Sequence, residues 1–312
     1  MNKQKTYIIT GAVGQLGLAM CRWLEKTDPD CKIIGIVKPS QKRRARNLSK
    51  KMKNFSFSTV DLKNKVFLKD LVFSHKPYAI LHFAACTSVW ESQARPYETV
   101  SNNIVPTLNI LDTAREFSPD THLLFCGSSE SKLLNNVYGV SKHCSEALCD
   151  TYRKNFSLNV YTLVLYNFFS EFQKTSFFAG KILDYVSEGN FDKKLSVGNL
   201  NFFREWTYVD DVCGAIQVVL DSEKPDNYEV SSGHYMTAGG FGEAVFSFVG
   251  ENFYEHIKVK EDLQRKNDSV IIQSDCKKIK KLGWNPNFSM QEAIKKILEY
   301  KNYERNIRFL IR

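Results

Sequence analysis

The sequence predicts an α/β protein: a doubly wound parallel sheet with helices on both faces, followed by a smaller α/β C-terminal region. Three observations carry this expectation. Short apolar runs alternate with helical patterns through the first half of the 312 residues, as strands joined by crossover helices do. The first run passes straight into glycines at 11, 14 and 17. No apolar run reaches the ~18 residues needed to cross a bilayer, so the apolar residues must be buried in a core of the chain's own.

Taken in order, TYIITGAVGQLG (6–17) reads as a strand entering a glycine turn, with a helix from Leu16 to Glu25. Strand, G-x-x-G-x-x-G and helix together make a Rossmann-type turn. There a pyrophosphate can approach the backbone of Gly11, Gly14, Gln15, Leu16 and Gly17 at a helix N-terminus. Lys32–Lys38 is the second strand, and its end carries Lys38, then Ser40, Lys42 and Arg43, with no acid. An acid there would hold a ribose 2′-hydroxyl; cations suit a 2′-phosphate, which favours NADP over NAD unless they form only a solvated basic loop. Phe55–Val60 is the third strand, with Asp61 and Leu62 where an adenine contact falls. A helix covers Lys63–His75. Tyr78–Ala85 is the fourth strand, ending in Ala84 and Ala85, small enough for a cofactor to pass close. A long helix follows Pro96 through Asn103 to Phe117, then a strand at His122–Cys126, a helical pattern to about Phe156, and a sixth strand at Val160–Tyr166. Beyond Asn167 the rhythm breaks into shorter pieces: helices from Phe177, Asp210, Ala238 and Met290, a stretch at Leu195–Leu200 and a strand near Tyr228.

Eight cysteines stand without any C-x-x-C pair or Cys/His ligand spacing, which implies a reducing, cytoplasmic setting and no metal. The net charge of +9 is densest at Lys42–Lys53. No nucleic-acid motif accompanies it, so small phosphorylated ligands or a solvated surface explain it, and neither nucleic acid nor membrane is expected as a partner.

Chemistry concentrates in GSSESKLLNNVYGVSK (127–142). Tyr138 and Lys142 are one helical turn apart on one face. A phenol titrates near ~10, and bringing it to about 7 takes ~4 kcal/mol. An ammonium ~4 Å away supplies about that at an effective dielectric of ~20. The pair therefore reads as an activated tyrosinate, with Ser128 beside it. Glu130 is either a second acid/base group sharing Ser128's face of an extended segment, or a cap for the helix that begins near Asn136.

TGAVGQLG, HFAACTSV (82–89), NNIVPTLNILDTAR (102–115), SSE (128–130) and YGVSK (138–142) resemble the extended short-chain dehydrogenases/reductases, the NAD-dependent epimerase/dehydratase family. LYNFFSEFQKTSFFAGKI (165–182), VGNLNFFREWTYVDD (197–211), PDNYEVSSG (225–233) and KKLGWNP (280–286) are similar to GDP-mannose 4,6-dehydratases within it. The resemblance implies that Ser128, Tyr138 and Lys142 form the catalytic triad and Glu130 the carboxylate used at the sugar. It implies that Gly11, Gly14, Gly17, Lys38, Asp61 and Asn103 line the cofactor. It further implies that Thr87, Ser88, Asn167, Lys181, Val197, Asn199, Arg204 and Arg265 bind a nucleotide sugar, and the guanidinium forks of Arg204 and Arg265 suit phosphate on physical grounds as well.

The expected organisation is an NADP-binding region over 1–166 with a return segment near 207–231, and a nucleotide-sugar-binding region over 167–312. The expected state is a homodimer or homotetramer. The sequence departs from the resembled pattern at Phe168–Glu171, at Gly180 where an arginine is expected, and in a short loop before Tyr138. These changes bear on the sugar side. The leading reading is a GDP-sugar 4,6-dehydratase, with a 4-keto-sugar reductase or epimerase, or a silent NADP-binding scaffold, as rivals.

Overall fold

The computed structural model describes residues 4–263 and 273–310. The chain divides into two compact units. Unit 1 comprises Met1–Leu165, Cys213–Val230 and Cys276–Trp284; unit 2 comprises Tyr166–Val212, Ser231–Asp275 and Asn285–Arg312.

Unit 1 is built from β1 (Thr6–Thr10), α1 (Gln15–Thr27), β2 (Lys32–Val37), α2 (Lys42–Lys51), β3 (Phe55–Thr59), α3 (Lys65–His75), β4 (Ala79–His82), α4 (Val89–Ala94), α5 (Pro96–Phe117), β5 (His122–Ser128), α6 (Val137–Phe156) and β6 (Val160–Leu165). Its seven-stranded sheet takes the order β11-β6-β5-β4-β1-β2-β3, where β11 is Asn227–Val230. Every pairing in it is parallel. Parallel strands are covered on both faces, which is why KIIGIV is buried from Ile33 to Val37 instead of alternating. Ile8, Ile34, Ile36, Ile80, Leu123, Phe125 and Val160 from the sheet share one core with Leu68, Val72, Ile110, Leu111 and Cys149 from α3, α5 and α6. Strand order reverses between β1 and β4, the place where such sheets open a crevice at their carboxyl ends.

Unit 2 contributes β7 (Phe168–Phe169), α7 (Phe178–Glu188), β8 (Leu195–Val197), β9 (Phe203–Glu205) and β10 (Thr207–Tyr208). It also holds β12 (Tyr235–Thr237), α9 (Ala238–Phe246), β13 (Ile257–Val259) and α11 (Met290–Leu310). Its strands form three pairs: β7 with β10, β9 with β12, and β8 with β13. Aromatic rings fill it, with Trp206 stacked on Phe241 at 4.3 Å and Phe169 edge-on to Phe241 at 5.3 Å. α8 (Val209–Asp221) belongs to unit 1 from Cys213 onward, and α10 (Lys277–Lys280) belongs to it whole.

The structure adds to or departs from the expected elements at four places. The fourth strand stops at His82, because Ala84 donates its amide to the Thr10 side chain instead of to a neighbouring strand. The basic cluster after Lys38 is a helix, α2, anchored by buried Ala45 with its cations on the outer face. Segment 276–284 joins unit 1, where Ile279 is fully buried and Lys278 pairs with Asp226 at 2.6 Å. Residues 129–132 after β5 form a 3-10 turn, so Ser128 and Glu130 do not share a face of an extended segment.

Candidate active site

The glycine turn closes at the end of β1. Gly11 has φ +67°, and a Cβ there would lie 3.0 Å from the Ala84 amide nitrogen. A side chain at that position is excluded both by backbone conformation and by the close approach of the segment after β4. At Gly17 a Cβ would fall 2.3 Å from the Gly11 carbonyl, so the helix packs directly on the turn. The cap of α1 is Gly14, which brings no side chain over the helix N-terminus. Such a turn fits a dinucleotide pyrophosphate. Gln15 begins α1, while the Leu16 side chain is buried in the core. Lys38 is exposed and follows the last residue of β2. Asp61 is exposed and lies 3.9 Å from the Lys63 ammonium. The Leu62 side chain packs into the unit 1 core, and its carbonyl accepts from Asn109. Ala85 is partly buried.

Beneath this turn runs a buried polar chain. Thr10 bonds His82 Nδ1 at 2.7 Å, and His82 Nε2 bonds Thr107 at 3.2 Å. The Thr107 hydroxyl proton goes to the Asn103 carbonyl at 2.8 Å. Nε2 must therefore carry the ring proton, which leaves Nδ1 to accept from Thr10. Burial holds the imidazole neutral, with its pKa lowered to about 3. The Asn103 amide accepts from the Cys86 amide at 2.7 Å and donates to Ser141 at 2.9 Å, and Ser141 donates to the Tyr138 carbonyl at 2.7 Å. Asn103 thus ties α5 to the first turn of α6.

Tyr138 and Lys142 lie on one face of α6, both buried. The Lys142 ammonium donates to the Cys126 carbonyl at 2.7 Å and sits 4.7 Å from the Phe125 ring centre. Burial lowers its pKa. The Tyr138 phenol is pushed upward, chiefly by burial and further by Glu130, while a hydrogen bond to Ser128 opposes the rise. The phenol is thus raised where the sequence alone led to a lysine-lowered tyrosinate, and the ammonium is committed to the end of β5.

Ser128 is buried at the end of β5, and its Oγ accepts from the Glu130 amide at 3.3 Å. The Glu130 carboxylate accepts from Asn136 Nδ2 at 2.8 Å. Asn136 is itself the cap of α6, accepting from the Gly139 amide at 2.8 Å. Glu130 is therefore not the cap; it is held by the residue that is. Thr87 is exposed, and Ser88 caps α4 by accepting from Glu91. Sequence reasoning missed Ser92, which is 1 % exposed and accepts from the Tyr138 amide at 3.3 Å. It also missed Glu146, whose spacing of four from Lys142 was the available signal.

In unit 2, Asn167 is exposed and its carbonyl accepts from Thr207. Lys181 on α7 donates to the Ser196 carbonyl at 3.1 Å, beside Val197, whose side chain is buried. The Asn199 side chain accepts from the Asn201 amide, and the Arg204 guanidinium lies 5.0 Å from the Phe202 ring. Arg265 lies outside the described residues.

A family model described as the NAD dependent epimerase/dehydratase family matches residues 7–231. A GDP-mannose 4,6-dehydratase of Sordaria araneosa is 22 % identical over 332 residues, covering 95 % of this chain and 61 % of that protein. A UDP-glucuronate 4-epimerase of Thermodesulfobacterium geofontis is 24 % identical over 319 residues, covering 94 % of this chain and 95 % of the other. Among solved structures, a dTDP-glucose 4,6-dehydratase of Streptomyces venezuelae with NAD and TYD bound superposes with a TM-score of 0.86 at 19 % identity. That match covers 96 % of this chain and 98 % of the other.

Proposed function

The chain belongs to the NAD-dependent epimerase/dehydratase family, and on that premise we propose that it is a nucleotide-sugar 4,6-dehydratase acting on a GDP-linked hexose with NADP. The observation that carries the reading is the convergence of Ser128, Glu130, Tyr138 and Lys142 at the end of β5 and the start of α6. The glycine turn and the cations after β2 support a dinucleotide carrying a 2′-phosphate. When bound, the oxidised nicotinamide supplies a hydride acceptor and donor and a positive charge.

The chain's own groups do the proton work. Tyr138, as the phenolate that the buried ammonium of Lys142 on the same helix face would favour, takes the proton from O4 of the sugar. Ser128 orients that oxygen through its hydroxyl. Once C4 is a ketone the C5 proton is acidic, and Glu130 removes it and protonates the departing O6 hydroxyl. Asn136 fixes the carboxylate for that role. Arg204, Lys181 and Asn199 are proposed to hold the nucleotide diphosphate. A test is a panel of GDP-, UDP- and dTDP-hexoses scored for a 6-deoxy-4-keto product. Conversion of the GDP sugar supports the reading; conversion of none of them overturns it.

The bond between Glu130 and Asn136 favours one second reading. If that carboxylate serves only the cap of α6, the remaining tyrosine and lysine suffice for a 4-epimerase or a 4-keto-sugar reductase. Steady NADPH consumption with a keto sugar identifies the reductase.

A further inference from the structure

Three residues of α6 spaced four apart meet the end of β5 in succession. Lys142 takes the Cys126 carbonyl at 2.7 Å. Tyr138 turns its phenol toward Ser128, whose hydroxyl opposes the rise of its pKa. Glu146 takes the Ser128 amide at 3.1 Å through Oε1, and its Oε2 lies 2.9 Å from the Ser131 hydroxyl. The carboxyl occupies the space where residue 127 would carry a side chain: a Cβ on Gly127 would lie 2.4 Å from Glu146 Oε1.

The Ser131 hydroxyl faces two acceptors but has one proton. It lies 2.6 Å from the Ser128 carbonyl and 2.9 Å from Glu146 Oε2. An ionised Glu146 leaves these two contacts to share that proton. A protonated Glu146 gives every contact its own. Oε2–H then donates to Ser131 Oγ, the Ser131 O–H donates to the Ser128 carbonyl, and the Ser128 N–H donates to Oε1, closing a ring of three bonds.

We propose that Glu146 is a positioning residue that holds the Ser128–Ser131 turn as a neutral carboxylic acid. The assignment of this turn to proton transfer rests on the function proposed above. Burial favours the neutral form, while the hydrogen bonds from the Ser128 amide and the Ser131 hydroxyl and the nearby Lys142 ammonium oppose it. Neutrality has a use, because a carboxylate at 146 raises the Tyr138 phenol further. The device fixes Ser128 and Glu130 without setting a negative charge beside the tyrosine that must release a proton.

Glutamine reproduces the neutral acid, accepting through Oε1 and donating through Nε2. Glu146→Gln should therefore keep kcat close to wild type, whereas Glu146→Ala should lose about 10²-fold in kcat, the effect of a misplaced reacting group, with KM little changed. Equal losses in both variants overturn the proposal. An infrared difference spectrum of wild type against Glu146→Gln at neutral pH gives a reading independent of turnover. A protonated-carboxyl stretch present in wild type and absent from the variant supports the neutral acid, and loss of carboxylate bands alone contradicts it. A wild-type protein that converts no sugar overturns the proposed function, and the spectrum still decides the state of Glu146.

Discussion

Tyr138 was legible in the sequence because a tyrosine and a lysine one helical turn apart share a face whatever the rest of the chain does. Its electrostatic state was not legible, since that depends on which acceptor the lysine finds, and here it finds the Cys126 carbonyl. Removing only the proton carrier tests the role: Tyr138→Phe should reduce turnover at neutral pH by on the order of 10²–10⁴-fold while the dinucleotide still binds. His82 gives a prediction about stability. Its folded pKa, about 3, lies below the ordinary value of 6.5. Between these values the unfolded chain binds a proton that the folded chain refuses, so stability is full above the upper value and falls as pH drops through the window. From pH 7 to 4.5 this one group should remove about 2.5 kcal/mol. Denaturant titrations at the two pH values measure it, with His82→Gln, which cannot take up the proton, as the reference. An equal pH dependence in the variant contradicts the assignment.

The elements were legible where periodicity was long, as in α5 and α6, and obscure where a few residues decide the path. The 3-10 turn at 129–132 was invisible because the local bond between Ser131 and Ser128 is completed by Glu146, 15 residues beyond Ser131. The α6 cap shows how an element serves the site. Asn136→Ala removes the bond to the Gly139 amide and should cost about 1 kcal/mol in stability. It also frees the Glu130 carboxylate, so the dehydration rate should fall in the same variant. Thermal unfolding and product formation measure the two effects; a stability loss at unchanged rate would assign Glu130 to structure. The basic segment belongs to this scale as well. Lys38 at the end of β2 with the cations of α2 should make NADP bind more tightly than NAD. Lys38→Glu should reduce that preference by about tenfold, or ~1.4 kcal/mol. Equal dissociation constants for the two dinucleotides in the wild type would sink the idea.

At the scale of the whole chain, alternating strands and helices announced the parallel sheet, and the glycine spacing announced the turn at its carboxyl edge. The sequence did not disclose that 276–284 returns to unit 1. That return depends on burial of Ile279 and on the pairing of Lys278 with Asp226, neither of which leaves a periodic signal. The internal redox cycle is the central claim, since it distinguishes a dehydratase from an epimerase or reductase carrying the same tyrosine and lysine. The most direct test supplies GDP-mannose deuterated at C4 and follows the label by NMR and mass spectrometry. The account predicts a 6-deoxy-4-keto product with deuterium at C6 and no net change in the nicotinamide. A product that keeps its C6 hydroxyl, or turnover that consumes NADPH in proportion to product, would contradict it.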